Sequence, residues 1–91
     1  MGVNMDIKKK YISDLATFLT NQKKVMSGEE LATHLNRNGF RTSYGSKYKG
    51  GRGTYKLIKS TWSAHDSVGE DVEAENVATA YVKPSGGYAY K

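Results

Sequence analysis

The chain has 91 residues, of which 37% are hydrophobic and 25% are charged, and it contains no cysteine. A chain of this length builds one compact core, so we expect a single domain over residues 1–91. The absence of cysteine excludes a disulfide framework and a thiolate zinc site, while the formal net charge of +5 favours a polyanionic partner.

The segment from Asp6 to Gln22 is predicted to form the first helix. Its apolar residues recur at steps of three and four, which is the spacing of one face of an amphipathic helix. We therefore expect that face to pack on the core. The face consists of Ile7, Tyr11, Leu15 and Phe18, reinforced by Ile12 and Leu19.

A second helix is predicted to begin at Ser27 and to stop near Asn38. Ser27 and Glu30 have the spacing of a capping box, in which the Ser27 hydroxyl accepts from the third helical amide and Glu30 returns to the Ser27 amide. Gly39 stands where a left-handed residue would end the helix, with Phe40 packing back on it.

The stretch between Gly39 and Thr54 is predicted to be a loop that carries part of the functional surface. It contains four further glycines, too many for regular structure. The sequence is compatible with two roles for the tyrosines of this loop, Tyr44 and Tyr48. They anchor the loop on the core, or they stack on exposed bases of a single-stranded nucleic acid.

Thr54 is predicted to cap a third helix, which would serve as the recognition helix. The apolar spacing that follows is again helical, whereas the polar and basic side chains fall on other faces. The inward residues are Tyr55, Leu57, Ile58, Thr61 and Trp62, and the outward ones include Lys56, Lys59 and Ser60.

A fourth helix is the preferred interpretation of the region from Ala74 to Tyr81, where Val77 and Ala78 complete a helical spacing behind an acidic start. The alternative is a strand over 77–82 that turns through 83–87 into a hairpin wing at 88–90. The expected fold is therefore mainly α, a helix-turn-helix domain of three to four helices, with or without a wing, that ends in a short strand or hairpin.

Charge is distributed unevenly along the chain. The stretch from Leu31 to His65 contains no aspartate or glutamate, whereas residues 66–75 contain five. The basic stretch is expected to bind phosphate, although such a stretch is also compatible with an ordinary solvated face. The acidic segment is either a solvated helix start or a contact for a second subunit or another protein.

Residues 31–58 resemble the helix-turn-helix segment of large serine recombinases. The matching residues are Leu31-Ala32, Leu35-Asn36, Gly39, Thr42, Gly45 and Tyr48, followed by Thr54 and Leu57-Ile58. The resemblance implies DNA contact by the loop and the third helix, in a small DNA-binding protein of a phage, plasmid or other mobile element. The glycines at 50–53 look like an insertion, and the connection exceeds the usual three or four residues of such a turn. The recombinase catalytic domain is missing, so recombination activity is not carried over.

Duplex DNA is accordingly the expected partner. Arg41 or Arg52 would fork onto a guanine edge, and Lys56 and Ser60 would project from the third helix. The predicted contact set is Arg37, Arg41, Thr42, Ser43, Tyr44, Lys47, Tyr48, Lys49, Arg52, Thr54, Lys56, Lys59 and Ser60.

Other chemistries find little support in the sequence. No catalytic triad or phosphate-loop pattern has the required spacing, so we expect no enzyme activity and no cofactor. His34 and His65 are far apart, so no metal is expected, and both are predicted to lie on a helix surface or in a loop. No apolar run has the length of a signal peptide or a membrane span, so we expect a cytoplasmic protein without membrane contact.

The functional hypothesis is a non-catalytic DNA-binding regulator or accessory factor. The alternative, from another class, is an adaptor or inhibitor that uses a helix-turn-helix scaffold to engage a host or partner protein.

Overall fold

The structure is a computed structural model that describes residues 7–49, 52–83 and 86–88, with only the backbone of Arg52. Within these residues the chain is mainly helical, as predicted, and a small two-stranded sheet joins its two halves. None of the described helices is both long and apolar enough to cross a membrane. The helices are α1 (Ile7–Asn21), α2 (Gly28–Arg37), α3 (Arg52–Asp66) and α4 (Asp71–Ala80), and the strands are β1 (Met26–Ser27) and β2 (Tyr81–Val82).

The predicted face of α1 is confirmed in part, since four of its six residues are buried or packed against the core. Ile12, Ala16 and Leu19 are in the core, whereas Ile7 is 76% exposed and Phe18 is 57% exposed. The prediction followed the large apolar residues, but α1 packs on α3 and α4 through a face that includes the small Ala16. A small residue lets helix backbones approach closely, so burial here follows fit as well as hydrophobicity.

The end of α1 is closed by a left-handed residue that is not glycine. Lys23 has a φ of 54°, and its amide donates to the Thr20 carbonyl oxygen at 3.1 Å. The amide of Lys24 donates to the Leu19 carbonyl oxygen at 2.9 Å. These two bonds form a Schellman motif, which turns the chain towards β1.

Both ends of α2 are close to the predicted positions. The Ser27 hydroxyl accepts from the Glu30 amide at 3.1 Å, as predicted, but the Glu30 carboxylate accepts from that hydroxyl at 3.3 Å instead of from the Ser27 amide. At the other end Gly39 has a φ of 83°, and the Phe40 amide donates to the Leu35 carbonyl oxygen at 2.9 Å. The predicted helix end at Asn38 is therefore confirmed.

A glycine brings α2 and α3 into close contact. A Cβ atom added to Gly28 would lie 2.7 Å from both Cε1 and Cζ of Tyr55, so the Tyr55 ring occupies the space that any larger residue would need. Gly28 itself is buried. The start of α2 is thus fixed against the first turns of α3.

The predicted cap of α3 is wrong. The helix begins at Arg52, so Thr54 already lies inside it, whereas a capping residue has an extended backbone outside the helix. Thr54 is instead 1% exposed, and its Oγ1 atom has no hydrogen-bond partner. Its side chain therefore acts as a core residue at the base of the loop.

The helical interpretation of the C-terminal region is confirmed for α4, and the rival strand is wrong for Val77 to Ala80. Only Tyr81 and Val82 are extended, and they pair in parallel with Met26 and Ser27. Beyond them the Lys83 amide donates to the Gly87 carbonyl oxygen at 2.7 Å, and Val82 forms an antiparallel bridge with Tyr88. The predicted strand at 88–90 is described only at Tyr88, because residues 89–90 lie outside the described part of the chain.

Candidate nucleic-acid interface

An open groove of about 750 Å³ lies between the loop at 42–49 and the first turns of α3, with α1 contributing a third side. Among the described residues, its lining includes lysines but no aspartate or glutamate. The first turn of α3 also carries no acidic residue, so the positive end of the helix dipole is not neutralised there. The groove is therefore suited to an anionic ligand. The lysines that line it are Lys8, Lys47, Lys49 and Lys56.

The base of the loop is fixed to α2 by a single amide side chain. Oδ1 of Asn36 accepts from the Tyr48 amide, and Nδ2 of Asn36 donates to the Tyr48 carbonyl oxygen, both at 2.8 Å. Tyr48 is 9% exposed, and its hydroxyl donates to the Arg41 carbonyl oxygen at 3.3 Å. Of the two roles predicted for the tyrosines, the anchor is therefore confirmed for Tyr48.

The tip of the loop is organised around Thr42. The Thr42 hydroxyl accepts from the amides of Tyr44 at 3.3 Å and Ser46 at 3.2 Å, and the Thr42 amide donates to the Ser46 carbonyl oxygen at 2.9 Å. Gly45 takes the left-handed conformation, with a φ of 81°, that closes the turn. This turn leaves Tyr44 94% exposed at its tip.

Lys8 is a groove residue that the sequence analysis did not single out. Its Nζ atom donates to the Arg41 carbonyl oxygen and lies 5.5 Å from the centroid of the Tyr48 ring, which is within cation–π distance. The run of lysines at 8–10 was a visible signal. Without the tertiary structure, however, nothing indicated that the loop passes beside the start of α1.

Arg41 is partly engaged within the fold. Its Nη1 atom donates to the carbonyl oxygens of Asn36 at 3.1 Å and Phe40 at 2.7 Å, at the C-terminal end of α2. The last turn of a helix leaves carbonyl groups without intrahelical partners, and Arg41 donates to one of these, that of Asn36, whereas Phe40 lies beyond the end of α2. The contact of Arg41 with a guanine edge remains a prediction, and it would use the other N–H groups of the guanidinium.

The structure brings most of the predicted contact residues into one groove. Those that line it are Thr42, Ser43, Tyr44, Lys47, Tyr48, Lys49, Thr54 and Lys56. Arg37, at the end of α2, and Lys59 and Ser60, further along α3, are not among the lining residues. The side chain of Arg52 lies outside the described part of the structure.

His65 is not on the surface, contrary to the prediction. It is 5% exposed, with Nε2 at 2.9 Å from the Ser13 hydroxyl oxygen and Nδ1 at 2.9 Å from Oε1 of Glu70. A buried polar group needs such partners, and here they come from α1 and from the residue preceding α4. His65 therefore connects three parts of the fold away from the groove.

Comparisons with protein-family models, with curated proteins and with solved structures found no match for this chain. The resemblance to large serine recombinases therefore rests on residues 31–58 alone. The charge and geometry of the groove are the features of the structure that bear on function.

Proposed function

We propose that this protein is a non-catalytic DNA-binding protein, a regulator or accessory factor of a phage or other mobile element, that contacts duplex DNA through the 40–54 loop and α3. The observation that carries the proposal is the groove itself, whose described lining contains four lysines and no carboxylate. Lysine side chains bind DNA phosphates as point charges and release condensed counterions.

The position of the acidic segment supports the same assignment. Asp66 ends α3 and Lys56 lies in its first turns, so about 15 Å of helix axis separates them at 1.5 Å per residue. The Debye length at physiological salt is about 8 Å, so the carboxylate of Asp66 reduces the potential at Lys56 only weakly. A DNA strand bound beside Lys56 would therefore meet little repulsion from Asp66.

The order of the helices supports a helix-turn-helix variant as part of this proposal. In such a domain α1 is the supporting helix, α2 positions the domain on the DNA backbone, and the exposed side chains of α3 contact bases in the DNA major groove. The loop between Arg37 and Arg52 is far longer than an ordinary turn. Because Asn36 and Lys8 hold it, the loop adds a cationic edge beside α3. The reversal between Val82 and Tyr88 would serve as a minimal wing.

The strength of the electrostatic contribution follows from the number of lysines. Four phosphate contacts give a slope of about −3.6 for the logarithm of affinity against the logarithm of salt concentration. Affinity should then fall about 150-fold between about 50 and 200 mM salt. Contacts from Arg37 or Lys59 would steepen the slope further.

The proposal is tested by fluorescence anisotropy with a labelled random duplex over this salt range. The double variant Lys47→Gln/Lys49→Gln should flatten the slope by about two contacts, that is by about 1.8. Lys23→Gln/Lys24→Gln is the matched control, because it removes the same charge at the opposite end of α1 from Lys8. Absence of binding by the unmodified protein at low salt would refute the proposal, and equal losses in both variants would refute the assignment of the site.

A second candidate function is supported by the acidic end of the molecule. Val68 is 51% exposed and Val72 is 71% exposed, and both lie within the acidic segment at 66–75. Apolar side chains surrounded by charge suit a contact with a basic protein surface or a second subunit. Sedimentation equilibrium of the protein and of Val72→Glu tests this: self-association that the substitution abolishes would support the contact, and a monomer at every concentration would exclude a homodimer.

A further inference from the structure

We propose that Tyr44 is a base-stacking residue, which presents its ring to an unpaired base of bulged or single-stranded DNA. This inference rests on the proposed DNA-binding function and specifies which form of DNA the groove prefers. Tyr44 is 94% exposed, whereas Tyr48, four residues later, is buried as the anchor of the same loop. The structure thus assigns the two tyrosines of the loop different roles.

The exposure of Tyr44 is built into the turn. Four hydrogen bonds converge on Thr42, from the amides of Tyr44, Gly45 and Ser46 and to the Ser46 carbonyl oxygen. The turn fixes the backbone of Tyr44, and a tyrosine side chain has few rotatable bonds. Holding the ring against a ligand therefore loses little conformational entropy. The ring is therefore presented in advance of binding, and it has no place in the core.

The charges around Tyr44 indicate a nucleic acid as the occupant. Tyr44 lines the same groove as Lys47 and Lys49, both of which are exposed, and the part of the lining that the structure describes has no carboxylate. Single-stranded DNA is bound in this manner, by a cationic groove that follows the backbone and by aromatic rings on which the bases stack. An acidic peptide would satisfy the lysines but would not supply the flat apolar surface that the Tyr44 ring requires.

Base pairing determines which DNA can use this ring. In an intact duplex the faces of each base are covered by its neighbours, and exposing one costs a few kcal/mol. A bulged base or a single strand avoids most of that penalty. We therefore expect tighter binding to a duplex with a one-base bulge, and to a single strand, than to the matched perfect duplex.

The experiment measures the affinity of the full chain, and of Tyr44→Ala, for three labelled DNAs of one sequence: perfect duplex, bulged duplex and single strand. Tyr44→Ala should weaken binding to the bulged duplex and the single strand by about 5- to 150-fold, the range for the loss of one stacked base, and should weaken binding to the perfect duplex by a clearly smaller factor, because Tyr44 lines the groove but finds no open base face there. Tyr44→Phe should bind as the unmodified protein does, because the ring and not the hydroxyl makes the contact. Lys47→Ala should weaken all three DNAs alike.

A second readout reports stacking directly. With 2-aminopurine as the bulged base, binding of the unmodified protein should quench its fluorescence, and binding of Tyr44→Ala at saturating concentration should not. Equal loss of affinity for all three DNAs in Tyr44→Ala, or no loss for any, would overturn the stacking assignment while DNA binding itself stands. If the unmodified protein binds none of the three DNAs at low salt, the proposed function fails instead. Circular dichroism would check that the variants fold, and the Tyr44 variants should do so because this side chain is 94% exposed.

Discussion

Gly28→Ala should destabilise the protein, although alanine is the better helix former. In an open helix position the change gains up to about 1 kcal/mol. Here the new Cβ atom would lie 2.7 Å from two carbon atoms of the Tyr55 ring. Ordinary contacts of this kind begin at 3.4 Å, so ring and helix must separate by more than half an ångström. The hydroxyl end of that ring is buried, so the ring cannot move without disturbing its packing.

Overpacking of this kind costs about 1 to 3 kcal/mol, so we expect a net loss of about 1 to 2 kcal/mol in the free energy of unfolding. In a domain of this size that loss lowers the Tm by roughly 4 to 16 °C, measured by circular dichroism or calorimetry. The matched control is Gly53→Ala, a helical glycine in α3 with nothing within 4 Å of the added Cβ, which should be neutral or stabilising.

A double-mutant cycle with Tyr55→Ala isolates the clash from the other effects of each substitution. In the Tyr55→Ala background Gly28→Ala should no longer destabilise, which gives a coupling free energy of about 1 kcal/mol or more. Additive effects of the two substitutions, or a rise in Tm for Gly28→Ala alone, would show that α2 and α3 are not in the close contact described here.

Lys23→Gly should raise the free energy of unfolding, measured in urea titrations, by about 0.5 to 1 kcal/mol, because Lys23 has a left-handed backbone conformation that glycine adopts without strain. A destabilised variant would contradict the Schellman motif at the end of α1. Asn36→Ala removes both hydrogen bonds to the Tyr48 backbone, so it should lower the free energy of unfolding by about 1 to 3 kcal/mol and speed amide hydrogen exchange at Tyr48. Unchanged exchange would refute the role of Asn36 as the anchor of the loop. Burial, and then nearby Tyr11, raise the pKa of Tyr81 above its usual value of 10.0. The unfolded chain loses the Tyr81 proton near this usual value, whereas the folded chain keeps it. The stabilisation that the protonated Tyr81 gives the folded state is therefore complete below pH 10 and is lost as the pH rises above it. Tyr81→Phe should therefore show a smaller fall in stability at alkaline pH in denaturant titrations, and an identical fall would contradict the assignment.

The sequence predicted well those features that depend on neighbouring residues. The cap at Ser27 and the end of α2 at Gly39 follow from local hydrogen bonding and local backbone preference, and both are found close to the predicted positions. The helical character of α4 followed from its spacing in the same way. Most of the predicted contact residues also line one groove, because the loop and the start of α3 are adjacent along the chain.

The predictions that failed depended on tertiary contacts. On α1, Ile7 and Phe18 were predicted to face the core but are exposed, whereas the small Ala16, which the prediction left out, is buried. His65 was assigned to the surface because its partners, Ser13 and Glu70, come from elements that only the fold brings together. Lys8 was missed for the same reason, since it reaches the loop across the domain.

The parallel pairing of Met26 with Tyr81 makes folding of this domain depend on contacts between distant parts of the chain. A strand of two residues has little stability by itself, so β1 forms only when β2 is present, and β2 follows the last helix. Closing so large a loop is slow in comparison with forming a helix. A nascent chain would therefore hold α1 and α2 in a loosely packed state until Tyr81 arrives, and its core would close only after that residue has been synthesised.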